Sequence, residues 1–156
     1  MPLKPGSEEY LDSEKYQIRR RNFAQPHSLS PFIARVNQIR HEHPSLQRDW
    51  GLRFHSTDNP QLLAYSKRSE AGDDLILVVV NLDPFNMQHG FVQLPLDDWG
   101  FTPDSTVEVV DLLSDERYFW RGEWNYVRLE PLLRMGHILS VMLPAPLAPE
   151  PLEPTV

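Results

Sequence analysis

Leu75-Ile76-Leu77-Val78-Val79-Val80, set between Gly72-Asp73-Asp74 and Asp83-Pro84, is the stretch that decides the fold class. A run this apolar predicts a central strand covered on both sides, and its flanks read as turns. Working outward, Leu52 and Phe54 alternate with Arg53 and His55 before Asn59-Pro60 turns the chain. Further extended runs fall at residues 62–66, 91–94, 107–113, 118–120, 124–129 and 138–143. Arg121-Gly122-Glu123 reads as a hairpin between two aromatic strands. Short strands with regular turns and no intervening helices indicate an antiparallel β-sandwich.

The chain before Asp49 is different. Leu29, Phe32, Ile33, Val36 and Ile39 recur at the three-and-four spacing of one helical face. Ser28 or Ser30 can cap this helix, Pro31 fits only its first turn, and Pro44 ends it. Five large apolar side chains at that spacing need a partner surface, and self-association as a homodimer is one expectation. Residues up to about 26 form an irregular arm. The tail carries proline at 144, 146, 149, 151 and 154, and is expected to be extended and solvated. The expected organisation is residues 1–47 as arm and helix, 48–143 as the sandwich, and 144–156 as a disordered tail.

A chain of 156 residues holds one ordinary domain, whereas an eight-fold β/α barrel typically needs ~250. The net charge of -7, without a long basic run, argues against nucleic acid, since phosphate neutralisation needs clustered Lys and Arg. Cysteine is absent, which removes disulfides and thiolate metal sites and fits a reducing compartment. No apolar run approaches the ~20 residues of a membrane span. Met1-Pro2-Leu3-Lys4-Pro5 lacks the apolar centre of a signal peptide. A cytoplasmic protein with no membrane partner is expected.

Candidate chemistry concentrates in the arm. Pro5-Gly6-Ser7-Glu8-Glu9-Tyr10-Leu11-Asp12-Ser13-Glu14-Lys15-Tyr16 combines acids, hydroxyls, two tyrosines and a lysine in an irregular segment. Lys15 offers a charged donor, and Tyr10 and Tyr16 offer flat faces with hydroxyl handles, a set suited to a sugar or a phosphate ester. Glu8, Glu9, Asp12 and Glu14 lie on no scaffold that fixes their spacing, so they read as solvated and no catalytic acid is assigned. His41-Glu42-His43 suggests a metal, but residues two apart on a helix diverge by about 200 degrees. A helix C-terminus that favours basic side chains explains the pair, and no metal is expected. Arg19-Arg20-Arg21 reads as a solvated or interdomain face rather than a phosphate site. Trp99, Tyr118, Phe119, Trp120, Trp124 and Tyr126 make either a sugar-stacking platform or core packing, with strand alternation sending about half inward. No glycine-rich phosphate loop, nucleophile elbow or cofactor fingerprint is present, and no cofactor is expected.

The arm, with Arg35-Val36-Asn37-Gln38-Ile39-Arg40, His43-Pro44-Ser45-Leu46-Gln47, Trp120-Arg121-Gly122-Glu123-Trp124-Asn125-Tyr126-Val127 and His137-Ile138-Leu139, resembles a known family. It is similar to the C-terminal part of the bacterial maltosyltransferases of the alpha-amylase clan, glycoside hydrolase family 13. The resemblance implies that residues 1–47 are the last barrel loop and helix of a truncated catalytic domain, followed by the clan's C-terminal sandwich. It implies a whole enzyme that transfers maltosyl from maltose 1-phosphate to the non-reducing end of an alpha-1,4-glucan with retention. The barrel's aspartate and glutamate would do that chemistry, so this chain alone should be inactive. The intact Ser13-Glu14-Lys15-Tyr16 motif implies donor-sugar contacts by Lys15 and Tyr16. Arg19-Arg20-Arg21-Asn22 departs from the family's Arg-His-Trp-Asp. The alternatives are an independent glycan-binding sandwich module and an interaction sandwich without ligand.

Overall fold

The computed structural model describes residues 22–131 and 133–144, together with residues 5, 18 and 20. The arm expectation for residues 6–16 lies outside the described residues, and so does the tail expectation beyond Pro144. The chain divides into two compact units, residues 1–33 and 34–156. In the first, Leu29, Phe32 and Ile33 are exposed.

The α-helix α1 runs Ser30–Glu42, with Pro31 in its first turn. Ser30 N–H donates to Ser28 Oγ at 3.2 Å, so Ser28 holds the start of the helix. At the other end His43 is extended, at φ -108 and ψ 109, as the residue before a proline should be. A 3-10 turn, Pro44–Leu46, follows it.

Eight strands make up the described part of the second unit: β1 Leu52–His55, β2 Leu62–Arg68, β3 Leu75–Asn81, β4 Gln88–Gln93, β5 Thr106–Asp111, β6 Arg117–Arg121, β7 Trp124–Leu129 and β8 Gly136–Val141. Six form one sheet in the order β1-β2-β3-β8-β5-β6, and β4 pairs with β7 in a second. Every pairing is antiparallel. The fold is mainly β, as the strand periodicity implies.

Alternation explains the layering. Leu75, Leu77 and Val79 of β3 point into a core shared with Val92 of β4, and with Val127 and Leu129 of β7. Ile76 and Val78 point the other way and are buried as well. The Pro44–Leu46 turn packs on β2 and β3, and Ile39 is 1% exposed. The outer face of the larger sheet is therefore covered where this turn lies. That is the two-sided cover expected for β3.

One expectation is corrected. Arg121-Gly122-Glu123 is not a hairpin, because β6 pairs with β5 while β7 pairs with β4. The turn instead carries the chain from one sheet to the other. Gly122 has φ +77, and Asn125 stabilises the crossing. Its Nδ2–H donates to Gly122 O at 2.9 Å, and its Oδ1 accepts Arg121 N–H at 3.2 Å. A glycine in the left-handed region serves either kind of turn, and only the partner strands distinguish them.

Candidate functional site

Within the second unit, three residues at four-residue intervals fasten α1 to the sandwich. Arg35 donates Nε–H to Leu112 O at 2.8 Å and Nη2–H to Asp115 Oδ1 at 3.1 Å. Ile39 is buried. His43 Nδ1 meets Asp74 Oδ1 at 2.8 Å, and the other oxygen of Asp74 accepts Ser45 N–H at 2.9 Å. Burial alone would raise the Asp74 carboxyl, but the hydrogen bonds from His43 and Ser45 bring it below its ordinary value. The four-residue interval puts Arg35 and Ile39 on one helical face, and His43 N–H still donates to Ile39 O at 3.1 Å. The apolar periodicity covers Ile39 but misses the polar ends of this attachment.

The turn that receives Arg35 is itself built on a buried acid. Asp111, at the end of β5, is fully buried. Its Oδ1 accepts Leu113 N–H at 3.1 Å and Ile138 N–H at 3.4 Å. Its Oδ2 accepts Ser114 Oγ–H at 3.1 Å and meets His137 Nδ1 at 2.9 Å. Arg134 lies 3.6 Å from the same oxygen and 2.7 Å from Glu116. Tyr118 completes the ring of contacts, donating to Glu116 Oε2 at 2.6 Å and accepting Arg134 Nη1–H at 2.8 Å. Desolvation pushes Asp111 up, yet the hydrogen bonds from His137, Leu113 and Ser114 outweigh it and hold the carboxyl below its usual range. A carboxylate this enclosed and this fully bonded ties strands together and is closed to substrate.

Lys15 and Tyr16 lie outside the described residues, as do Glu8, Glu9, Asp12 and Glu14. Of the His41-Glu42-His43 set, His41 is exposed while His43 is taken up by Asp74. Among the described residues no group of three His, Cys, Asp or Glu side chains converges as a metal ion would require. No helix among them is long and apolar enough to cross a membrane. The aromatic residues split between the core and the surface, by alternation where they lie on β6 and β7. Trp99 is buried, and Tyr118 and Trp120 pack partly buried against the core. Phe119, Trp124 and Tyr126 are exposed.

Comparison with known proteins adds three observations. The family described as "GLGE, C-terminal" matches residues 54–141, more than half of the chain. An alpha-1,4-glucan:maltose-1-phosphate maltosyltransferase of Salinibacter ruber is 48% identical over 134 residues, covering 86% of this chain and 20% of that protein. Proteins of the same name from Methylacidiphilum infernorum and Streptomyces coelicolor are 42% and 45% identical, over 90% and 92% of this chain. The chain spans about a fifth of the length of these relatives. A maltogenic alpha-amylase of Thermotoga neapolitana superposes with a TM-score of 0.64 at 13% identity, covering 88% of this chain and 30% of the amylase. At that identity the likeness is one of fold.

Proposed function

This chain belongs to the GLGE C-terminal family, and from that premise we propose that it works as the C-terminal part of an alpha-1,4-glucan:maltose-1-phosphate maltosyltransferase. The observation that carries the reading is the family match over residues 54–141, which takes in seven of the eight strands in full. The complete enzyme would move maltosyl from maltose 1-phosphate to the non-reducing end of an alpha-1,4-glucan. Retention would follow from two displacements, with a barrel aspartate as nucleophile and a barrel glutamate as acid and base. Neither carboxylate belongs to the sandwich, so this chain alone releases no phosphate.

The chain's own work is of two kinds. Lys15 and Tyr16 contact the donor sugar, a role supported by the intact Ser13-Glu14-Lys15-Tyr16 motif. A lysine ammonium gives charged hydrogen bonds to hydroxyls, and a tyrosine adds a flat face and one hydroxyl. The sandwich braces the catalytic domain through α1, a role supported by the attachments of Arg35, Ile39 and His43. Residues 1–47 then complete the barrel, and residues 48–143 are the brace.

The test is a graft. The matched region of the Salinibacter ruber relative is replaced by this chain, and phosphate release from maltose 1-phosphate is followed. The graft is expected to turn over and the isolated chain to be silent. A folded, inactive graft, or an active isolated chain, goes against the reading.

A further inference from the structure

We infer that the outer face of the β4–β7 sheet, with the cleft at its end, binds a segment of alpha-1,4-linked glucan. The choice of an alpha-1,4-glucan among neutral glycans rests on the proposed function; the site itself rests on the residues that follow.

The cleft has a volume of about 290 Å³. That is near the lower end of the ~300–1,000 Å³ of small-molecule sites, and suits a sugar unit or two rather than a large cofactor. Arg53, His55, Gln93, Asp97, Asp98 and Glu123 are among its lining. Arg53 is already paired with Asp98, and Gln93 Nε2–H donates to Glu123 Oε2 at 3.3 Å. Burial, with the nearby Arg53 charge, lowers His55 to about 4, so it is neutral near pH 7. One cation then stands against three carboxylates, which repels a phosphate or carboxylate ligand. Because no three acids or imidazoles converge among the described residues, the lining does not offer a metal site either. What remains is a set of acceptors and an amide that suit the hydroxyls of an uncharged polyol.

The adjoining strip supplies the apolar half of sugar recognition. Cross-strand pairing puts Gln93 beside Trp124, Phe91 beside Tyr126, and His89 beside Arg128. The alternate residues Gly90, Val92, Asn125 and Val127 are buried, so these three rows share the outer face. Phe91, Trp124 and Tyr126 are 43%, 45% and 50% exposed, a contiguous aromatic strip rather than scattered single residues. Rows along the strand repeat at about 7 Å. Gln93 belongs to both parts, lining the cleft and pairing with Trp124, so stacking and hydrogen bonding run on without a break. The rings are not coplanar: Phe91 and Tyr126 stand at 68° with centroids 5.6 Å apart, and His89 and Tyr126 at 45° and 5.8 Å.

The experiment uses the chain as it is, with maltoheptaose, cellohexaose, inorganic phosphate and calcium chloride as separate probes in titration calorimetry. Maltoheptaose is expected to bind, cellohexaose to bind much more weakly, and phosphate and calcium not at all. Trp124→Ala and Tyr126→Ala should each weaken maltoheptaose by up to about tenfold, the scale of one stacked ring. Trp124→Phe should keep much of the affinity. Circular dichroism checks that each variant is folded, and Phe91→Ala replaces any that is not. Absence of maltoheptaose binding, equal binding of cellohexaose, or unchanged affinity in the folded alanine variants overturns the inference. No catalysis enters this assay, so its failure leaves the graft result untouched, and an inactive graft leaves this result untouched.

Discussion

Arg35 reaches across 77 positions of sequence to donate its Nε–H to the backbone carbonyl of Leu112 at 2.8 Å. The same guanidinium touches Asp115, but that carboxylate is 82% exposed while the Leu112 contact is partly buried. Magnitudes separate the two. A charged group bonded to a shielded carbonyl contributes about 1.5–3 kcal/mol, whereas an exposed ion pair contributes roughly 0–1 kcal/mol. Arg35→Ala should therefore lower unfolding stability by about 1–3 kcal/mol, and Asp115→Ala by under ~1 kcal/mol. Urea denaturation of both variants checks this. Equal losses would make the ion pair the main tie.

Asp111 gives the largest expected effect. Removing one partner from a buried charged network leaves the others uncompensated, at about 3–5 kcal/mol. Asp111→Asn should lose stability on that scale, since His137 loses its carboxylate partner and Arg134 keeps only Glu116. The pH dependence has a definite sign. The folded value of Asp111 lies below the ordinary 3.8, so its contribution is present above that pH and is lost as pH falls through the folded value. Asp74 acts in the same direction. Acid unfolding of the wild type should thus steepen below about pH 4, and the steepening should shrink in Asp111→Asn.

His55 works in a different window. It bonds Ser66 Oγ at 2.8 Å and stands edge-on to Trp99 at 5.7 Å. Its folded value of about 4 lies below its ordinary 6.5, so the unfolded chain binds more protons between the two. Stability is complete above 6.5 and falls as pH drops toward 4. Thermal melts between these limits should slope accordingly, and His55→Gln should flatten the slope. An unchanged slope would mean that His55 does not carry it.

Gly90 tests the packing that supports the aromatic strip. A Cβ there would collide with Asp58 Oδ1 and come within 3.1 Å of Asn59 Cβ. Asp58 is held by accepting Phe91 N–H at 2.6 Å, so it does not move aside freely. Gly90→Ala should lower stability by about 1–3 kcal/mol, the usual cost of overpacking. Calorimetric melting measures it, and a neutral result would show that the Asp58 loop yields.

Strand β3 was legible because burial on both faces leaves an unbroken apolar run, and the helix because Leu29 to Ile39 keeps one face. The helix's polar anchors were not legible. Arg35 and His43 find their partners 77 and 31 positions away, and periodicity carries no information about such pairs. Asp111 likewise meets His137 across 26 positions, through strands that are neighbours only in the folded sheet. Its one local sign was an aspartate followed three residues later by a serine, a turn signal equally common in solvated loops that hold no buried acid. Arg121-Gly122-Glu123 misled for a related reason, since a left-handed glycine marks a turn and says nothing of which strands it joins. The split among the strand aromatics did follow from alternation, with Phe119 exposed between the partly buried Tyr118 and Trp120, and Trp124 and Tyr126 outside. Trp99 is buried from a 3-10 turn, where alternation does not apply.

The most direct test of the central claim is kcat/KM for maltose 1-phosphate in the Salinibacter ruber graft, carrying the native chain, Lys15→Ala or Glu9→Ala. The native graft should turn over. Lys15→Ala should lose about 1.5–3 kcal/mol of transition-state binding, the range for a hydrogen bond to a charged group. Glu9→Ala should change little. A folded graft without turnover would contradict the assignment of this chain to the enzyme, and an unchanged Lys15→Ala would remove that residue from the donor site.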